Sequence, residues 1–435
     1  ISSLAGAARA RELGISVVVT DHHLPGEAVP EVEAIVNPNL PGDPFPSKAL
    51  AGVGVMFYLL GAVRAELRRR DALATPVRLA DFLDLVAVGT VADMVPLDHN
   101  NRILVEQGLR RIRAGRGCPG ITALLRVAGV NARHCSASDL AWRVAPRINA
   151  AGRLEDMELG IECLLSDRRE RADEAAAVLD RINSERRTIQ SEMQEQASLQ
   201  ARELLDSLTA ETAPGLCLFR EDWHEGVVGL VAGQVARALH RPVAALALAQ
   251  SGSDAMKGSV RSIHGVHARD VLAEIDTRQP GVIDKFGGHA MAAGLSLPRQ
   301  RLEAFREHWQ AVVGEYEISE PVIESDGPLG PDELGLDLAA ALELAGPWGQ
   351  HFPEPLFDGH FRLSDKRPVG GGAHLKLEVI EPTGGIRLPA IAFNCNAEAV
   401  PDRGGDLHLA YRLQVNRFRG SEEPQLLVEQ IWSGS

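Results

Sequence analysis

The chain has 435 residues, 45% of them hydrophobic and 24% charged, an ordinary globular composition with room for roughly two to four domains. No apolar run approaches the ~18 residues of a membrane span, and the five cysteines are scattered without C-x-x-C spacing, which favours reduced cytoplasmic thiols over disulfides or zinc ligands. A formal net charge of −14 disfavours a nucleic-acid partner but does not exclude one, because a basic channel can be local. The first residue is Ile1 and no signal-peptide pattern follows, so we expect the chain to begin inside a domain.

The opening stretch predicts half of a β-α-β unit. Residues 2–13 form a short amphipathic helix that stops at Gly14, the residue type favoured just past a helix end. Residues 15–20 are mostly apolar or β-branched with no polar alternation, which predicts a parallel strand covered on both faces. A short strand at residues 32–38 and a helix over residues 50–70 follow.

Three polar side chains come directly after the first strand: Asp21, His22 and His23. Open α/β sheets bind ligands at the carboxyl ends of such strands. Imidazole plus carboxylate is a ligand set that suits Mn, Fe, Zn or Mg-type hydrolytic sites, and two adjacent histidines can aim at a metal and at a substrate. Pro25 and Gly26 follow at once, so a histidine pair in a plain surface turn is an equally good interpretation of the triplet alone.

A lone acid, Asp93, ends the next apolar segment. Leu79, Phe82, Leu83 and Val86 recur at helical spacing and predict a core-facing helix that delivers Asp93. A buried, unpaired carboxylate costs roughly several kcal/mol, so an acid among Val, Ala and Met is expected to have a cation or strong donors beside it.

Residues 147–153 follow a proline between two helical patterns, which predicts a loop rich in small residues. Its polar members are Arg147, Asn149 and Arg153. Small residues let a ligand approach closely, and arginine suits bidentate phosphate recognition. Ordinary salt bridging within the loop is the alternative.

Residues 167–208 contain neither Gly nor Pro and predict one long helix. Residues 167–170 have capping-box form, and apolar residues keep a three-four spacing through a strongly charged background. Such a narrowly apolar helix commonly connects two lobes. A coiled-coil dimer is the runner-up, disfavoured because alanine and charged residues occupy too many seam positions.

The second lobe opens with strand candidates at residues 215–219 and 243–248. Between them, the Gly-punctuated turn at residues 223–229 leads into a helix, and the N-terminus of a helix after such a turn can hold an anion. His224 in this turn could equally be a structural histidine.

Two further motifs of this lobe have compositions that suit a sugar-phosphate. Lys257, Ser259 and Arg261 lie around one glycine, and cations with a hydroxyl suit phosphate oxygens. Residues 287–294 place His289 among residues too small to crowd a ligand. Alone, a glycine-rich loop with one histidine would be weak support for a site.

Past about residue 317 the pattern changes to alternating strands between Gly-rich turns, which indicates a small antiparallel barrel or sandwich. The strand candidates are residues 375–379, 388–393, 407–415 and 425–432. Of the few aromatics, Phe393, Tyr411 and Phe418 could stack on a ligand or simply be core. Residues 347–357 are expected to lock the domain junction.

Four motifs, in order, resemble those of the DHH phosphoesterase family: Asp21-His22-His23, Gly89-Thr-Val-Ala-Asp93, Arg147-Ile-Asn149-Ala-Ala-Gly152-Arg153 and Gly287-Gly288-His289-Ala-Met-Ala-Ala-Gly294. The resemblance covers essentially the whole chain and is strongest to the branch of single-strand-specific 5′ exonucleases. It implies an α/β fold with an incomplete parallel-sheet DHH domain, a long connector helix, a second α/β DHH-associated domain and a C-terminal antiparallel β domain of OB type. The implied boundaries are 1–166, 167–208, 209–316 and 317–435.

The resemblance also implies a hydrolase, a metal-dependent 5′-to-3′ exodeoxyribonuclease that releases 5′-mononucleotides in DNA repair and recombination. Its mechanism would be two-metal phosphodiester hydrolysis with Mn²⁺ or Mg²⁺. His22 and Asp93 would be metal ligands, Asp21 would orient the cluster, and His23 would contact phosphate or support the ligands. The family also uses three aspartates before the DHH triplet that residues 1–435 do not contain, so we expect this chain to be inactive alone.

The implied substrate-binding residues carry basic, hydroxyl or amide side chains: Arg147, Asn149, Arg153, Lys257, Ser259, Arg261 and His289. Among them, Arg153, Ser259 and Arg261 would hold the 5′ end. His289 would contact the DNA backbone near the scissile bond.

The implied partners are single-stranded DNA, a single-strand-binding protein and a repair helicase, with a cytoplasmic, monomeric chain and no membrane. Two alternatives remain open: a DHH phosphodiesterase of short oligonucleotides or cyclic dinucleotides, and a non-catalytic DNA-binding scaffold. The additional C-terminal β domain argues against the first. The intact Asp21, His22, His23 and Asp93 argue against the second.

Overall fold

A computed structural model of the chain describes residues 3–26, 28–73, 75–154, 156–207, 214–249, 254–318, 322–393, 395, 400–418 and 420–433. The chain divides into two compact units. The first unit comprises Ile1–Pro146, Cys163–Ala176 and Ile323–Ser435, and the second comprises Arg147–Glu162 and Ala177–Val322.

The helices of the described residues are α1 (Leu4–Glu12), α2 (Gly52–Arg69), α3 (Leu83–Ala92), α4 (His99–Arg113), α5 (Pro119–Val127), α6 (Ala137–Asp139), α7 (Ala145–Leu154), α8 (Glu158–Leu165), α9 (Arg169–Ser207), α10 (Val228–Leu239), α11 (Ala268–Arg278), α12 (Leu302–Val313) and α13 (Leu336–Ala345). The strands are β1 (Val18–Thr20), β2 (Ala34–Val36), β3 (Leu216–Phe219), β4 (Val243–Leu248), β5 (Ala255–Arg261), β6 (Lys285–Gly288), β7 (Ala292–Pro298), β8 (Phe357–Val369), β9 (His374–Ile380), β10 (Arg387–Phe393), β11 (Asp406–Phe418) and β12 (Ser421–Ser433). Among the described helices, none combines the length and the apolar character needed to span a bilayer.

The N-terminal elements follow the predicted order, but the first strand is more exposed than predicted. α1 begins after Ser3 and ends before Gly14, whose φ of +70° is a left-handed conformation that glycine adopts readily. Within the described strands, β1 pairs in parallel with β2 alone. Ile15 is 55% and Val18 60% exposed, so the prediction of a strand covered on both faces is wrong. Three residues with one paired neighbour lack the two covered faces of an inner strand.

The first unit packs α3 and α4 backbone to backbone. A Cβ on Gly108 of α4 would lie 2.2 Å from the carbonyl oxygen of Leu83, so only glycine fits there. An apolar core is built beside this contact from Leu50, Val55, Val86 and Leu104. The predicted helix leading to Asp93 is confirmed as a 3₁₀ turn, Leu79–Phe82, that continues into α3.

The motif at residues 147–153 lies in the helix α7, so the prediction of a loop there is wrong. α7 continues directly from α6 through a π-helical stretch, Leu140–Val144, and Pro146 follows this stretch inside the continuous helix. Ala150 and Ala151 are fully buried, at 0% exposure. The small residues therefore serve close packing of a helix.

The long helix predicted over residues 167–208 is confirmed as α9, which has 39 residues. Its buried side chains keep the predicted spacing: Ala172, Ala176, Leu179, Ile182, Met193, Ala197 and Ala201. Residues up to Ala176 belong to the first unit and residues from Ala177 to the second, so α9 connects the units.

The second unit is built on a five-stranded sheet of order β3-β4-β5-β7-β6, in which only β3 and β4 are parallel. Alternate residues of β4 enter two different cores. Val243 and Ala245 pack with α10, whereas Ala244 and Leu246 pack with α11 and α12. Burial on both faces is the reason that this strand reads as a continuous apolar run.

The C-terminal part of the first unit is a closed five-stranded barrel of order β10-β12-β11-β8-β9. β10 and β12 are parallel and the other neighbours antiparallel, so the predicted small barrel is confirmed with one parallel pair. β8, which closes the barrel, was not predicted, because Asp, Lys and Arg interrupt its alternation. Leu375, Leu377 and Val379 point into the core from β9.

Candidate functional site

The turn after β1 is organised by the carboxylate of Asp21. Its Oδ1 accepts the backbone N–H groups of His22 at 2.6 Å and of His23 at 3.0 Å, and it lies 2.8 Å from His23 Nδ1. The Asp21 N–H itself donates to the carbonyl of Val36 at 3.1 Å, which extends the pairing of β1 with β2. The end of β1 and the Asp21 carboxylate together fix the backbone positions from which the two imidazole side chains project.

Asp21 is an anion at neutral pH. Partial burial alone would raise the pKa of Asp21, but hydrogen bonds from the backbone of His23, from the His23 ring and from the backbone of His22 outweigh it and hold the pKa well below the usual aspartate range. An ionised Asp21 accepts the His23 Nδ1 proton, which leaves Nε2 of His23 as the nitrogen with a lone pair. The His23 side chain is 65% exposed, so this nitrogen can meet a ligand.

His22 points to Asp93. Its Nε2 lies 3.1 Å from Asp93 Oδ2, and its side chain is 16% exposed. Asp93 ends α3, and Met94 after it has a φ of +56°, so the chain turns sharply beside the carboxylate. The strand end and the helix end, more than seventy residues apart, thus bring the predicted ligands together.

Asp93 is not the buried acid of its segment, so that part of the prediction is wrong. The Asp93 side chain is 42% exposed. The buried acid is Asp84, at 0% exposure, whose Oδ2 accepts the N–H of Cys118 at 2.6 Å and whose Oδ1 accepts the N–H of Leu85 at 2.9 Å. Cys118 precedes α5, and a carboxylate near a helix N-terminus is stabilised there. Asp84 is therefore structural.

Two asparagines that the sequence analysis missed hold the histidine turn. Asn37, 2% exposed, donates from Nδ2 to the carbonyl of His23 at 2.9 Å and accepts the N–H of Asn39 at 2.8 Å. Asn39 donates to the carbonyls of His22 at 2.6 Å and of Lys48 at 3.1 Å. The signal in the sequence was an Asn-Pro-Asn run at the carboxyl end of β2, the neighbour of β1.

The donor atoms fit a divalent ion. Ligand atoms of Asp21, His22 and His23 lie within 4.8 Å of one another. Two ligands at right angles, each about 2.1 Å from an ion, lie about 3 Å apart, which matches the 3.1 Å between His22 Nε2 and Asp93 Oδ2. Imidazole with carboxylate suits Mn²⁺, and carboxylate oxygens suit Mg²⁺.

The second unit contains a separate anion pocket with a volume of about 540 Å³. Its polar side chains come from the turn before α10 and from β5, β6 and β7: Glu225, Lys257, Ser259, Arg261, Lys285 and Ser296. The pocket therefore unites Lys257, Ser259 and Arg261, as the sequence predicted.

The geometry at Arg261 suits a phosphate. Arg261 Nη1 donates to Ser259 Oγ at 2.6 Å and to the carbonyl of Val260 at 2.9 Å, which orients the guanidinium. A Cβ on Gly229 would lie 3.0 Å from Arg261 Nη2 and 3.0 Å from Ser259 Oγ, so the first turn of α10 approaches both groups. Guanidinium, hydroxyl and helix N-terminus thus converge, which is a favourable setting for an anion.

Two charged residues of this pocket were missed by the sequence analysis, Glu225 and Lys285. Glu225 Oε2 lies 2.9 Å from Lys257 Nζ, so the cations of the pocket are partly balanced by one carboxylate. His224, left open between two roles, accepts the N–H of Gly226 on Nδ1 at 3.0 Å and thereby shapes the turn into α10.

The other predicted substrate-binding residues that the structure describes do not line this pocket. His289 is exposed in the turn between β6 and β7 and does not line the pocket. Arg147 Nε donates to Asp180 Oδ1 at 2.8 Å and its side chain is 14% exposed, so a carboxylate already holds this guanidinium. Asn149 is exposed on α7. The Arg153 side chain lies outside the described residues.

The structure describes the side chains of two of the three aromatic candidates in the barrel, and one of these two is exposed. Phe393 is 52% exposed, and its ring meets the edge of the His374 ring at 5.0 Å. Tyr411 is 1% exposed and belongs to the core. The Phe418 side chain lies outside the described residues.

Three family models match the chain: the DHH family N-terminal domain over residues 1–90, the DHHA1 domain over residues 212–315 and the RecJ OB domain over residues 325–430. This order is the one that the resemblance implied. Each matched range lies inside a predicted domain, whose boundaries at residues 166, 208 and 316 remain a prediction.

The chain is also similar to named proteins. Single-stranded-DNA-specific exonuclease RecJ of Salmonella typhimurium is 48% identical over 99% of this chain and 76% of its own length. RecJ of Thermus thermophilus solved with Mn²⁺ matches with a TM-score of 0.80 at 30% identity, covering 100% of this chain and 61% of that one. RecJ of the same organism solved with Mg²⁺ gives 0.76 at 29% identity, covering 97% and 60%. The chain thus spans about three quarters of the curated relative's length and less than two thirds of either solved chain.

The contacts of Asn37 predict that Asn37→Ala speeds up amide hydrogen exchange in the turn that carries His22 and His23. The substitution leaves the partly buried carbonyl of His23 and the N–H of Asn39 without their partner, which costs about 1–3 kcal/mol of unfolding free energy. Amide exchange measured by mass spectrometry should accelerate over residues 20–24, and the urea midpoint should fall. Asn416→Ala, which removes an exposed contact with Glu423 on the barrel, is the matched control and should change neither quantity by much. Equal effects of the two substitutions would contradict the assignment.

Proposed function

The chain belongs to the RecJ family of single-stranded-DNA-specific exonucleases, and we propose that it hydrolyses single-stranded DNA from the 5′ end and releases 5′-mononucleotides, in DNA repair and recombination. The observation that carries the proposal is the convergence of His22 Nε2 and Asp93 Oδ2, 3.1 Å apart, from two distant elements. The match of residues 325–430 to the RecJ OB domain favours this function over cleavage of cyclic dinucleotides.

His22 and Asp93 would hold a divalent ion, Mn²⁺ or Mg²⁺, the two metals present in the solved relatives. Two such ions would polarise the scissile phosphate and activate a water for in-line attack. Asp21 holds the backbone of both histidines and the proton of His23 Nδ1. With its lone pair at Nε2, the exposed His23 imidazole would contact a substrate phosphate through a bridging water that donates to both.

The pocket of the second unit would take the terminal phosphate. Lys257, Arg261 and Lys285 are opposed by the single carboxylate of Glu225, so the lining has an excess of positive charge in a chain of net charge −14. A terminal phosphomonoester carries a second negative charge that a 5′-hydroxyl end lacks. Charge-assisted hydrogen bonds from Arg261 would therefore favour the phosphorylated end.

The outer face of β9 and β10 would hold the strand. Exposed Phe393 is flanked by His374, and Lys376 and Arg367 pair across β9 and β8 on the same part of the barrel. An aromatic ring with nearby cations suits a stacked base and its phosphates. In OB barrels the face formed by the second and third strands, which are β9 and β10 here, commonly binds oligonucleotides.

The finer predictions of partner and location remain part of the proposal. A single-strand-binding protein and a repair helicase are the proposed partners of a monomeric chain. A cytoplasmic location is proposed because Cys118, Cys135, Cys163, Cys217 and Cys395 are free thiols, the form that a reducing compartment maintains.

Removing a proposed ligand should separate catalysis from binding. In the protein extended to the length of its relatives, His22→Ala and Asp93→Ala should each lower release of mononucleotides from 5′-labelled single strands about 100-fold or more. Affinity for the same DNA in EDTA should change little, because backbone charge is met by other residues. Asp332→Ala, at an exposed acid near the barrel, should keep full activity. Normal turnover in His22→Ala or Asp93→Ala would sink the ligand assignment.

Removing the pocket arginine should weaken the discrimination between ends. Arg261→Ala should reduce the ratio of cleavage rates on 5′-phosphorylated and 5′-hydroxyl strands roughly tenfold, since a charge-assisted bond is lost. Arg301→Ala, at an exposed arginine of the same unit, should leave the ratio unchanged. An unchanged ratio in Arg261→Ala would remove this pocket from recognition of the end.

A further inference from the structure

The segment that leads into the barrel, residues 345–352, is docked on the segment that leaves the metal site, residues 93–102. Both belong to the first unit. We propose that residues 345–352, here called the docking segment, position Asp93 for metal binding, so that the barrel acts on the metal site through this contact. The proposal rests on the metal site proposed above.

The first contact is backbone to backbone at Leu97. The N–H of Leu97 donates to the carbonyl of Gln350 at 2.7 Å, and Leu97 is 4% exposed. A Cβ on Gly349 would lie 2.7 Å from Leu97 Cδ1, so the docking segment packs closely against the Leu97 side chain. Gly349 and Phe352 exchange both of their backbone hydrogen bonds, at 2.9 and 3.0 Å, which closes the segment into a tight turn.

The second contact is a stack of three planar groups. The guanidinium carbon of Arg102 lies 3.7 Å from the centre of the Phe352 ring, which is cation–π geometry. The Phe352 ring stacks on Trp348 with centroids 5.1 Å apart and an interplanar angle of 11°. Trp348 Nε1 donates to the carbonyl of Leu342 in α13 at 3.0 Å, and Leu342 packs against the barrel core. The barrel core is thus joined to α4.

Three residues separate Leu97 from Asp93. This short segment is also held by a hydrogen bond from the buried side chain of Asn101. Asn101, at 0% exposure, donates to the carbonyls of Pro96 at 2.9 Å and of Ala49 at 2.7 Å. The residue before Ala49 is Lys48, whose carbonyl accepts from the same Asn39 that holds His22. These hydrogen bonds therefore connect the carbonyl of His22 with Pro96, three residues after Asp93.

If residues 93–97 were held on one side only, the segment could still move. Asn101 anchors the inner side of residues 93–97, and the docking segment supplies the outer side through Gln350 and Gly349. Asp93 itself is 42% exposed, so its own surroundings constrain it less than they would a buried side chain. The backbone of Asp93 is held by the end of α3, where its N–H donates to the carbonyl of Gly89 at 3.1 Å. The docking of Leu97 and Arg102 limits the freedom that remains to its carboxylate, which makes Phe352 and Arg102 positioning residues.

The test compares Mn²⁺ affinity, read from the free-ion EPR signal, in variants of the protein at the length of its relatives. Phe352→Leu removes the ring between Arg102 and Trp348 and should weaken Mn²⁺ binding about tenfold, as loss of a supporting contact does at other metal sites. Phe352→Tyr keeps the ring and should restore affinity to within about twofold of the wild type. Affinity for single-stranded DNA in EDTA and the thermal midpoint of the barrel should remain near wild type in both variants.

A second pair of variants tests the same contact from the helix side, where the barrel sequence is untouched. Arg102→Met removes the cation and should weaken Mn²⁺ binding, whereas Arg110→Met, at a 65% exposed arginine of the same helix, should not. Wild-type Mn²⁺ affinity in both Phe352→Leu and Arg102→Met would overturn the inference. If His22→Ala bound Mn²⁺ as tightly as the wild type, the metal site itself would be wrong, and this inference would fall with it.

Discussion

The metal site depends on buried side-chain amides that must keep their backbone partners. Asn37 and Asn101 are 2% and 0% exposed, and their Nδ2 groups donate to carbonyls of the turns that carry or support the proposed ligands. A buried amide that loses its partner costs about 1–3 kcal/mol, a large fraction of the stability of a typical domain. The turns around His22 and Asp93 therefore cannot shift independently without breaking these bonds.

The residues proposed for catalysis and for phosphate recognition are divided between the two units. The proposed nitrogen and carboxylate ligands lie in the first unit, at the ends of β1 and α3, and the cations that suit a phosphate lie in the second, around β5. A net charge of −14 is compatible with binding DNA because positive groups can exceed negative ones locally, as Lys257, Arg261 and Lys285 do beside Glu225 in the pocket of the second unit. Whether such a chain can bind DNA depends on the charge of its binding surface more than on its net charge.

Motif order, through the resemblance to the DHH family, named residues that the structure brings together, although their roles remain a prediction. The pairing of His22 with Asp93 came from that resemblance, and Lys257, Ser259 and Arg261 were grouped by their composition around one glycine. Burial was harder to predict: a β-branched run gave a half-exposed strand, since burial depends on the neighbouring strands and layers. Residues 147–153 formed a helix because small residues suit close helix packing as well as loops. The Asn-Pro-Asn run marks the position of Asn37 and Asn39, but which carbonyls they hold depends on the fold.

The most direct test of the account is pulsed EPR of Mn²⁺ bound to the protein with ¹⁵N-labelled histidine. The account predicts hyperfine coupling to the nitrogen of one directly bound imidazole, because His22 Nε2 faces Asp93 whereas His23 Nδ1 is held by Asp21. The coupling should disappear in His22→Ala and persist in His23→Ala. A coupling that survives His22→Ala, or one that is lost only in His23→Ala, would contradict the account.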